Sequence, residues 1–183
     1  MIRKILQSGD PILRKKAKKV DKLDKKTQII IQDLKDTLRI QKNPEGVGLA
    51  APQIGKSLQI FLAAYKPSLA LRAKNFERVV INPEVLAIDT KLPSAKKVKD
   101  EILEGCLSLP NHYGPLRRPR SVTIKYLDEK GQEVKEKFSD FNAQIILHEI
   151  DHLNGVLFID HLLKEKKPLY KLDGDQWEDV ELV

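Results

Sequence analysis

Two histidines, His148 and His152, stand four residues apart in a segment that reads H-E-I-D-H. On a helix such residues lie about 40° apart around the axis and about 6 Å apart along it, so both imidazoles can reach one metal ion. The carboxylate of Glu149 would flank this ion and could take a proton from a bound water. Asp151 lies at the same angle on the other side, so spacing alone does not choose the base. The chemistry of the motif favours Glu149 and leaves Asp151 as an anchor for an arginine.

A catalytic metal needs a third protein ligand and one open position. Downstream of the motif, Asp160, His161 and Glu165 can ligate, but none of them lies in a recognisable context. Upstream lies Cys106, the only cysteine of the chain, and a thiolate with two imidazoles forms a tetrahedral site with one vacancy. A free cysteine is more often a buried structural residue. The nearby pair of histidines favours Cys106 as the ligand.

Small residues dominate the segment 46–55, which reads G-V-G-L-A-A-P-Q-I-G. It lacks the third glycine of a dinucleotide fingerprint and the Lys-Ser/Thr of a P-loop, so no nucleotide is implied. Small residues allow the backbone to approach a substrate closely, and the Gln53 amide could donate a hydrogen bond to a developing oxyanion. A tight entry into a strand is the alternative interpretation.

The elements that must position these residues follow from periodicity and turn signals. Apolar spacing predicts an amphipathic helix over residues 27–41, which ends at Asn43-Pro44, and a buried helix over residues 140–153, with Ser139 as its N-cap. Short β-branched stretches predict strands over residues 58–63, 79–81, 85–88, 121–127 and 132–138. Gly131 supplies the positive φ of the turn between the last two strands. The expected fold class is α+β, with antiparallel β-sheets packed around a central buried helix that carries the HExxH motif.

Length and charge limit the possible classes of protein. The 183 residues fit a single domain over residues 1–183, with a tail of uncertain structure over residues 168–183. No apolar run is long enough to cross a bilayer, and a single cysteine fits a reducing compartment, so we expect a cytoplasmic protein with no membrane contact. The net charge is +7, and ten Lys/Arg lie within residues 1–26. Aromatic residues are not interleaved with these lysines, which favours a solvated basic face over specific nucleic-acid recognition.

Three segments in this order resemble the motifs of the peptide deformylase family. They are residues 46–53 (G-V-G-L-A-A-P-Q), residues 104–108 (E-G-C-L-S) and residues 148–152 (H-E-I-D-H). The resemblance covers most of residues 5–160. It implies a metal-dependent amidase that removes the formyl group from the N-terminal formylmethionine of nascent polypeptides and releases formate.

The resemblance also implies a role for each matching residue. Cys106, His148 and His152 would ligate one divalent metal ion. Glu149 would act as general acid/base while a water on the metal attacks the formyl carbon. The Gln53 amide and the backbone N–H of Leu107 would donate to the oxyanion. The family's native metal is usually ferrous iron, with zinc, nickel or cobalt as alternatives, whereas the ligand types alone suggest zinc.

Substrate contacts are expected at four further positions, which are Val47, Gly48, Ile145 and Tyr113. Val47, Ile145 and Leu107 form the predicted apolar pocket for the methionine side chain, with the His148 ring as a wall. Gly48 and the segment near Tyr113 would pair with the substrate backbone as an added strand.

Departures from the family pattern are Leu147, where glutamine is usual, Gln144 on the site-facing side of the helix, and segments 65–78 and 89–101, which look long. Arg118 is expected to form a buried ion pair with Glu104 or Asp151. Two other functions remain open: a metallopeptidase that cleaves internal peptide bonds, and an inactive relative that uses its basic N-terminal half to bind the ribosome. Transient ribosome contact is also compatible with catalysis.

Overall fold

A computed structural model describes residues 1–42, 45–65, 76–89 and 103–181. Short 3₁₀ helices occupy Pro11–Arg14 and Ala51–Ile54. The α-helices are α1 (Lys25–Arg39), α2 (Phe141–Leu153) and α3 (Phe158–Glu165). The strands are β1 (Gly48–Ala50), β2 (Ile60–Tyr65), β3 (Phe76–Asp89), β4 (Glu104–Cys106), β5 (Leu109–Gly114), β6 (Ser121–Leu127), β7 (Glu133–Ser139), β8 (Leu169–Asp173) and β9 (Gln176–Val180). The helix stop expected at Asn43-Pro44 and most of the two long segments lie outside the described residues.

The strands form two antiparallel sheets. The first has the order β1-β2-β3-β6-β7, and the second has the order β4-β5-β8-β9. Strands β1 and β4 are therefore edge strands, each with one unpaired backbone edge in the described part of the chain. Antiparallel sheets combined with helices agree with the expected α+β class. No helix of the described residues is long and apolar enough to span a membrane.

Helix α1 starts two residues earlier than its apolar spacing predicted. The side chain of Asp24 caps it by accepting a hydrogen bond of 2.9 Å from the Thr27 N–H. Its buried face packs against β1 and β2 through an aliphatic cluster. The helical residues of that cluster are Ile30, Ile31, Leu34 and Leu38.

Strand β3 corrects the prediction of two separate strands over residues 79–81 and 85–88. It is continuous, and its register with β6 shifts between Ile81 and Glu84. At this irregularity Asn82 adopts a φ of 52°, and its side chain exchanges two 2.8 Å hydrogen bonds with the backbone of Val20. These bonds stabilise a kink within the continuous strand, where local propensity predicted a gap between two strands. The predicted turn at Gly131 is confirmed, with a φ of 81°.

Helix α2 carries the H-E-I-D-H segment and contacts β1, β2, β6 and β7. The prediction of Ser139 as its N-cap was wrong. Ser139 pairs with Ser121 as the last residue of β7, and Asp140, with a φ of 53°, links the strand to the helix. Pairing within the sheet therefore overrides the local capping preference of serine. The helix ends as expected before Gly155, which has a φ of 75°.

The tail beyond residue 168 forms a β-hairpin from β8 and β9. Strand β8 pairs with β5, so the hairpin extends the second sheet. Leu169 and Val180 pack with Phe158 and Leu162 of α3, and this cluster anchors the hairpin to the rest of the molecule.

Candidate metal and catalytic site

The site begins with three side chains from two elements. Helix α2 presents His148 and His152 with their ring centroids 4.9 Å apart. Strand β4 brings the Cys106 sulfur to 3.2 Å from Nε2 of His152. One ligand atom from each of these residues lies within 4.8 Å of the other two. The fold therefore brings the sulfur of Cys106 to two imidazoles that lie more than 40 residues further along the chain.

This donor set fits a tetrahedral metal ion. Metal–sulfur and metal–nitrogen bonds of about 2.3 and 2.0 Å give a sulfur–nitrogen separation of roughly 3.5 Å, close to the observed 3.2 Å. Nδ1 of His148 lies 2.7 Å from Oε1 of Glu104, which leaves Nε2 for a metal. The downstream alternatives lie elsewhere: His161 bonds Asp151, and Asp160 pairs with Arg14.

Electrostatics favour the ligating form of the sulfur. Burial raises the pKa of the Cys106 thiol, but the imidazoles of His152 and His148 outweigh burial and hold this pKa well below its usual value. Burial lowers the pKa of His148, whereas Glu104 and Cys106 together raise it well above its ordinary value. The cluster thus favours a thiolate, the form that binds metals.

A buried ion-pair network holds His148 in place. Arg118, with a side chain only 8% exposed, donates to both oxygens of Glu104 at 3.0 and 2.7 Å and to Asp151 at 2.6 Å. Burial raises the pKa of Glu104, but His148 and Arg118 outweigh it and keep this pKa well below its ordinary value. The expected ion pair of Arg118 is therefore confirmed, and it includes both carboxylates.

Glu149 differs from Asp151 in its surroundings. The Glu149 side chain is buried, lines the central cavity, and has no hydrogen-bond partner for its Oε2 atom within the described ranges. Burial raises the pKa of Glu149 to about 7. Asp151 is already bound to Arg118 and His161. Of these two carboxylates, Glu149 is therefore the one with a free oxygen beside the cavity.

The amide of Gln53 is fixed in one orientation. Its Oε1 atom accepts a 2.7 Å hydrogen bond from the Ala50 N–H, and its Nε2 atom donates to Oγ of Ser108 at 3.1 Å. The same Nε2 atom lies 3.6 Å from the Cys106 sulfur. The 3₁₀ helix Ala51–Ile54 therefore aims an N–H donor at the ligand cluster.

A cavity of about 250 Å³ opens beside the cluster, between the edge strands of the two sheets. Every predicted substrate and catalytic position except His152 contributes to its wall, and His152 lies behind it with a side chain 1% exposed. The predicted positions in the wall are Val47, Gly48, Gln53, Cys106, Leu107, Tyr113, Ile145, His148 and Glu149.

Gly48 lies where the edge strand β1 comes close to helix α2. A Cβ atom at this position would overlap the carboxylate of Glu149. Glycine is therefore required here because a side chain would not fit. Its backbone has no positive φ, so conformational freedom is not the reason.

Three polar residues of the site were missed by sequence reasoning or given no definite role. The Ser108 N–H lies 3.4 Å from the Cys106 sulfur, and its hydroxyl accepts from Gln53. Gln144 donates to Glu104 at 3.4 Å, while Leu147 packs in the core. His161 bonds Asp151 at 2.8 Å. The position of Ser108 two residues after the cysteine was a usable signal, but the contact of His161 depends on how α3 folds back.

Comparison with known proteins decides the family. A family model described as Polypeptide deformylase matches residues 2–168. The chain belongs to the peptide deformylase family. Peptide deformylase of Pseudothermotoga lettingae is 44% identical over 162 residues, which cover 87% of this chain and 82% of the relative. Peptide deformylase 1 of Clostridium acetobutylicum is 42% identical over 167 residues, with coverages of 90% and 97%. The crystal structure of peptide deformylase from Thermotoga maritima is similar with a TM-score of 0.73 and 36% identity, covering 87% of this chain and 97% of that chain.

As a peptide deformylase, the chain is a hydrolase, and N-terminal deformylation of polypeptides is the activity that its family supports. The cluster of Cys106, His148 and His152 could bind a metal ion and is consistent with a metalloenzyme. The expected family and enzyme class are therefore confirmed.

Proposed function

We propose that this chain removes the formyl group from the N-terminal formylmethionine of nascent polypeptides by metal-dependent hydrolysis in the cytoplasm, where such chains emerge. The observation that carries the proposal is the convergence of Cys106, His148 and His152 beside a buried carboxylate with a free oxygen. These three residues would hold one divalent ion, natively Fe²⁺, with Zn²⁺, Ni²⁺ or Co²⁺ as alternatives. When bound, the ion supplies a Lewis acid for water activation and carbonyl polarisation.

Glu149 would move the proton of the reaction. Its carboxylate accepts a proton from the attacking water and returns it to the amine that leaves as the C–N bond breaks. A carboxylate with no competing hydrogen-bond donor at Oε2 and a pKa raised by burial is suited to both transfers. The products are formate and a peptide with a free amino terminus.

Gln53 and Leu107 would stabilise the negative charge that develops on the formyl oxygen. The Gln53 amide is held before substrate arrives, because Ala50 and Ser108 fix both of its ends. A donor that is already oriented costs no reorganisation during the reaction. The backbone N–H of Leu107, in the turn after β4, is the second proposed donor.

Substrate binding would use both the cavity and the sheet edges. Val47, Leu107 and Ile145 give the cavity an apolar wall for the methionine side chain, with the His148 ring beside them. Gly48 on the edge strand β1 and Tyr113 both line this cavity, but Tyr113 is already paired on both sides, with Gly105 of β4 and Tyr170 of β8. Of these two positions, only Gly48 therefore lies on a strand with a free edge in the described part of the chain. An extended peptide can pair with the free edge of β1 as an added strand, which fixes the formyl group relative to Glu149, while Tyr113 contributes its side chain to the cavity wall.

A combined measurement of metal and activity tests this function. The protein is purified without oxygen, its metal content is measured, and formate release from formyl-Met-Ala is compared in the parent, Glu149→Gln, Cys106→Ser and Glu165→Gln. Glu165→Gln, a matched change of an exposed carboxylate, should behave as the parent. Glu149→Gln should keep the metal and lose activity by about 10²-fold or more. Cys106→Ser should lose both the metal and the activity. Equal formate release by all four proteins, or cleavage of internal peptide bonds, would refute the proposal.

Transient ribosome contact is part of the same proposal. It is supported by a run of lysines that are all exposed: Lys15, Lys16, Lys18, Lys19, Lys22, Lys25 and Lys26. Such a surface binds phosphate backbones without reading sequence, and its affinity falls steeply with salt. Co-sedimentation with ribosomes should therefore weaken as salt rises, and sedimentation away from ribosomes at every salt concentration would contradict this contact.

A further inference from the structure

A short N-terminal segment binds both parts of the chain that carry the proposed oxyanion donors. The backbone N–H of Leu6 donates a 2.8 Å hydrogen bond to the backbone C=O of Gln53, which carries the first donor. The N–H of Ser8 donates a 2.8 Å hydrogen bond to the C=O of Ser108. Ser108 directly follows Leu107, which carries the second donor. We call the segment from Leu6 to Ser8 the strap.

The strap closes a ring of three hydrogen bonds. The third bond of the ring joins the side chains of Gln53 and Ser108, which are 55 residues apart in sequence, with 3.1 Å between Nε2 and Oγ. Both residues are 1% exposed, so neither backbone carbonyl can exchange its bond with the strap for one with bulk water. The two donor segments are therefore tied together through the backbone as well as through their side chains.

Both ends of the strap are held by the rest of the fold. On one side, the N–H of Arg3 donates to Oγ1 of the buried Thr37 at 2.9 Å. On the other side, Leu13 is fully buried, and the N–H of Ala17 donates to the C=O of Leu153 at 2.8 Å. Terminal segments are poorly ordered unless they are tied down in this way. The strap can therefore fix the position of the groups that it binds.

We propose that Leu6 and Ser8 are positioning residues, which set the distance between the Gln53 amide and the backbone N–H of Leu107. The inference rests on the proposed function and adds to it residues that do not line the cavity. Two donors stabilise one oxyanion only when each lies about 2.7–3.1 Å from it, so an error in their spacing weakens at least one of the two bonds. A shift of about 1 Å caused far from the chemistry can lower a rate by about 10²-fold.

Ser8 offers a substitution that removes one bond of the strap and preserves its path. The β-turn Gln7–Asp10 is closed by a 2.8 Å hydrogen bond from the N–H of its last residue to the C=O of its first. Ser8 is the second residue of this turn, where proline is favoured, and Gly9 at the third position has no positive φ. Proline therefore fits the turn but has no N–H to donate to Ser108. Ser8→Ala keeps this N–H and is the matched control.

Steady-state kinetics on formyl-Met-Ala measures the effect on the reaction. Metal-loaded Ser8→Pro should keep KM within about twofold of the parent and lose kcat by about 10-fold or more, because the oxyanion forms only as the reaction proceeds. Ser8→Ala should match the parent in both constants. An unchanged kcat in Ser8→Pro, or a loss that appears only as a higher KM, would overturn the inference.

A double-mutant cycle separates positioning from a general loss of stability. In the Gln53→Ala background only one of the two proposed donors remains, so the strap has no spacing between donors left to set. Ser8→Pro should then lower kcat by less than about twofold, while urea unfolding should still show that it destabilises the fold. Full additivity of the two changes in kcat would refute the positioning role.

Hydrogen exchange tests the strap without relying on activity. In the parent, the amides of Leu6 and Ser8 should exchange about 10²-fold or more slowly than the amide of Gln7, which has no acceptor among the described residues. Equal exchange of the three amides would contradict the strap even if Ser8→Pro failed to fold. Absence of formate release by the metal-loaded parent would refute the proposed function and the positioning role with it. An active parent with an unaffected Ser8→Pro would refute the positioning role alone.

Discussion

Gly48→Ala offers a stringent test of how closely β1 approaches the proposed base. A Cβ atom at Gly48 would lie 2.8 Å from Cδ and 3.1 Å from Cγ of Glu149, and it would overlap Oε1. Alanine can adopt the backbone conformation there, so the side chain of Glu149 must move. Its Oε2 atom has no hydrogen bond to resist rotation within the described ranges. We therefore expect a displaced carboxylate in a protein that still folds.

We expect Gly48→Ala to reduce the rate of deformylation more than the stability of the fold. Misplacing a general acid/base removes a factor of about 10²–10⁴ in rate, whereas overpacking costs roughly 1–3 kcal/mol of unfolding free energy. Formate release from formyl-Met-Ala measures the first effect, and urea unfolding measures the second. Gly9→Ala is the matched control, because a Cβ atom at Gly9 meets nothing within 4 Å.

A double-mutant cycle separates displacement of Glu149 from a general disturbance of the site. In the Glu149→Gln background, Gly48→Ala should cost little further activity, since both changes remove the same proton transfer. Metal content should stay at the parent level in all variants. Activity of Gly48→Ala within about threefold of the parent, or full additivity in the cycle, would refute this reasoning.

Three further changes probe the buried ion-pair network, the methionine pocket and the ion pairs that hold the N-terminus. Arg118→Met should lower the free energy of unfolding by about 3–5 kcal/mol in urea titrations, because it leaves Glu104 buried without its cation; a loss below 1 kcal/mol would contradict this. Ile145→Phe should raise KM for formylmethionyl peptides by filling the methionine pocket, and an unchanged KM would remove Ile145 from it. Burial raises the pKa of Asp33, but its hydrogen bonds with the Met1 amino group and Arg3 outweigh it and lower this pKa. Its contribution is therefore complete above its unfolded pKa of about 3.9 and is lost as pH falls through the lower folded value. In Asp33→Asn, the urea midpoint of unfolding should therefore fall less steeply than in the parent as the pH is lowered. An equally steep fall in both proteins would argue against this pairing.

Local pattern predicted the parts of the site that lie on one element. His148 and His152 share a face because helical geometry fixes residues four apart, and Gly131 occupies its turn because few residues adopt a positive φ. The ion pair of Arg118 was expected because this residue matches an arginine that follows the cysteine motif in the family pattern. Cys106 was favoured from its chemistry and its family context.

Contacts between segments far apart in sequence were harder to predict. The kink in β3 depends on hydrogen bonds between Asn82 and Val20, 62 residues away. Local propensity alone therefore predicted that a strand ends there. Serine is a common N-cap, but Ser139 instead pairs with Ser121 at the end of β7 and does not cap the helix. The packing of Trp177 on Tyr113 requires the tail hairpin to join β5, and no periodicity within either segment indicates that pairing.

The unpaired edges of β1 and β4 bear on how broadly the enzyme can act. In the proposed function, a sheet edge would bind the substrate through its backbone amides, which every polypeptide has, while one pocket would accept the methionine side chain common to all initiating chains. Such an enzyme would act on many different nascent chains without reading their sequence beyond the first residue.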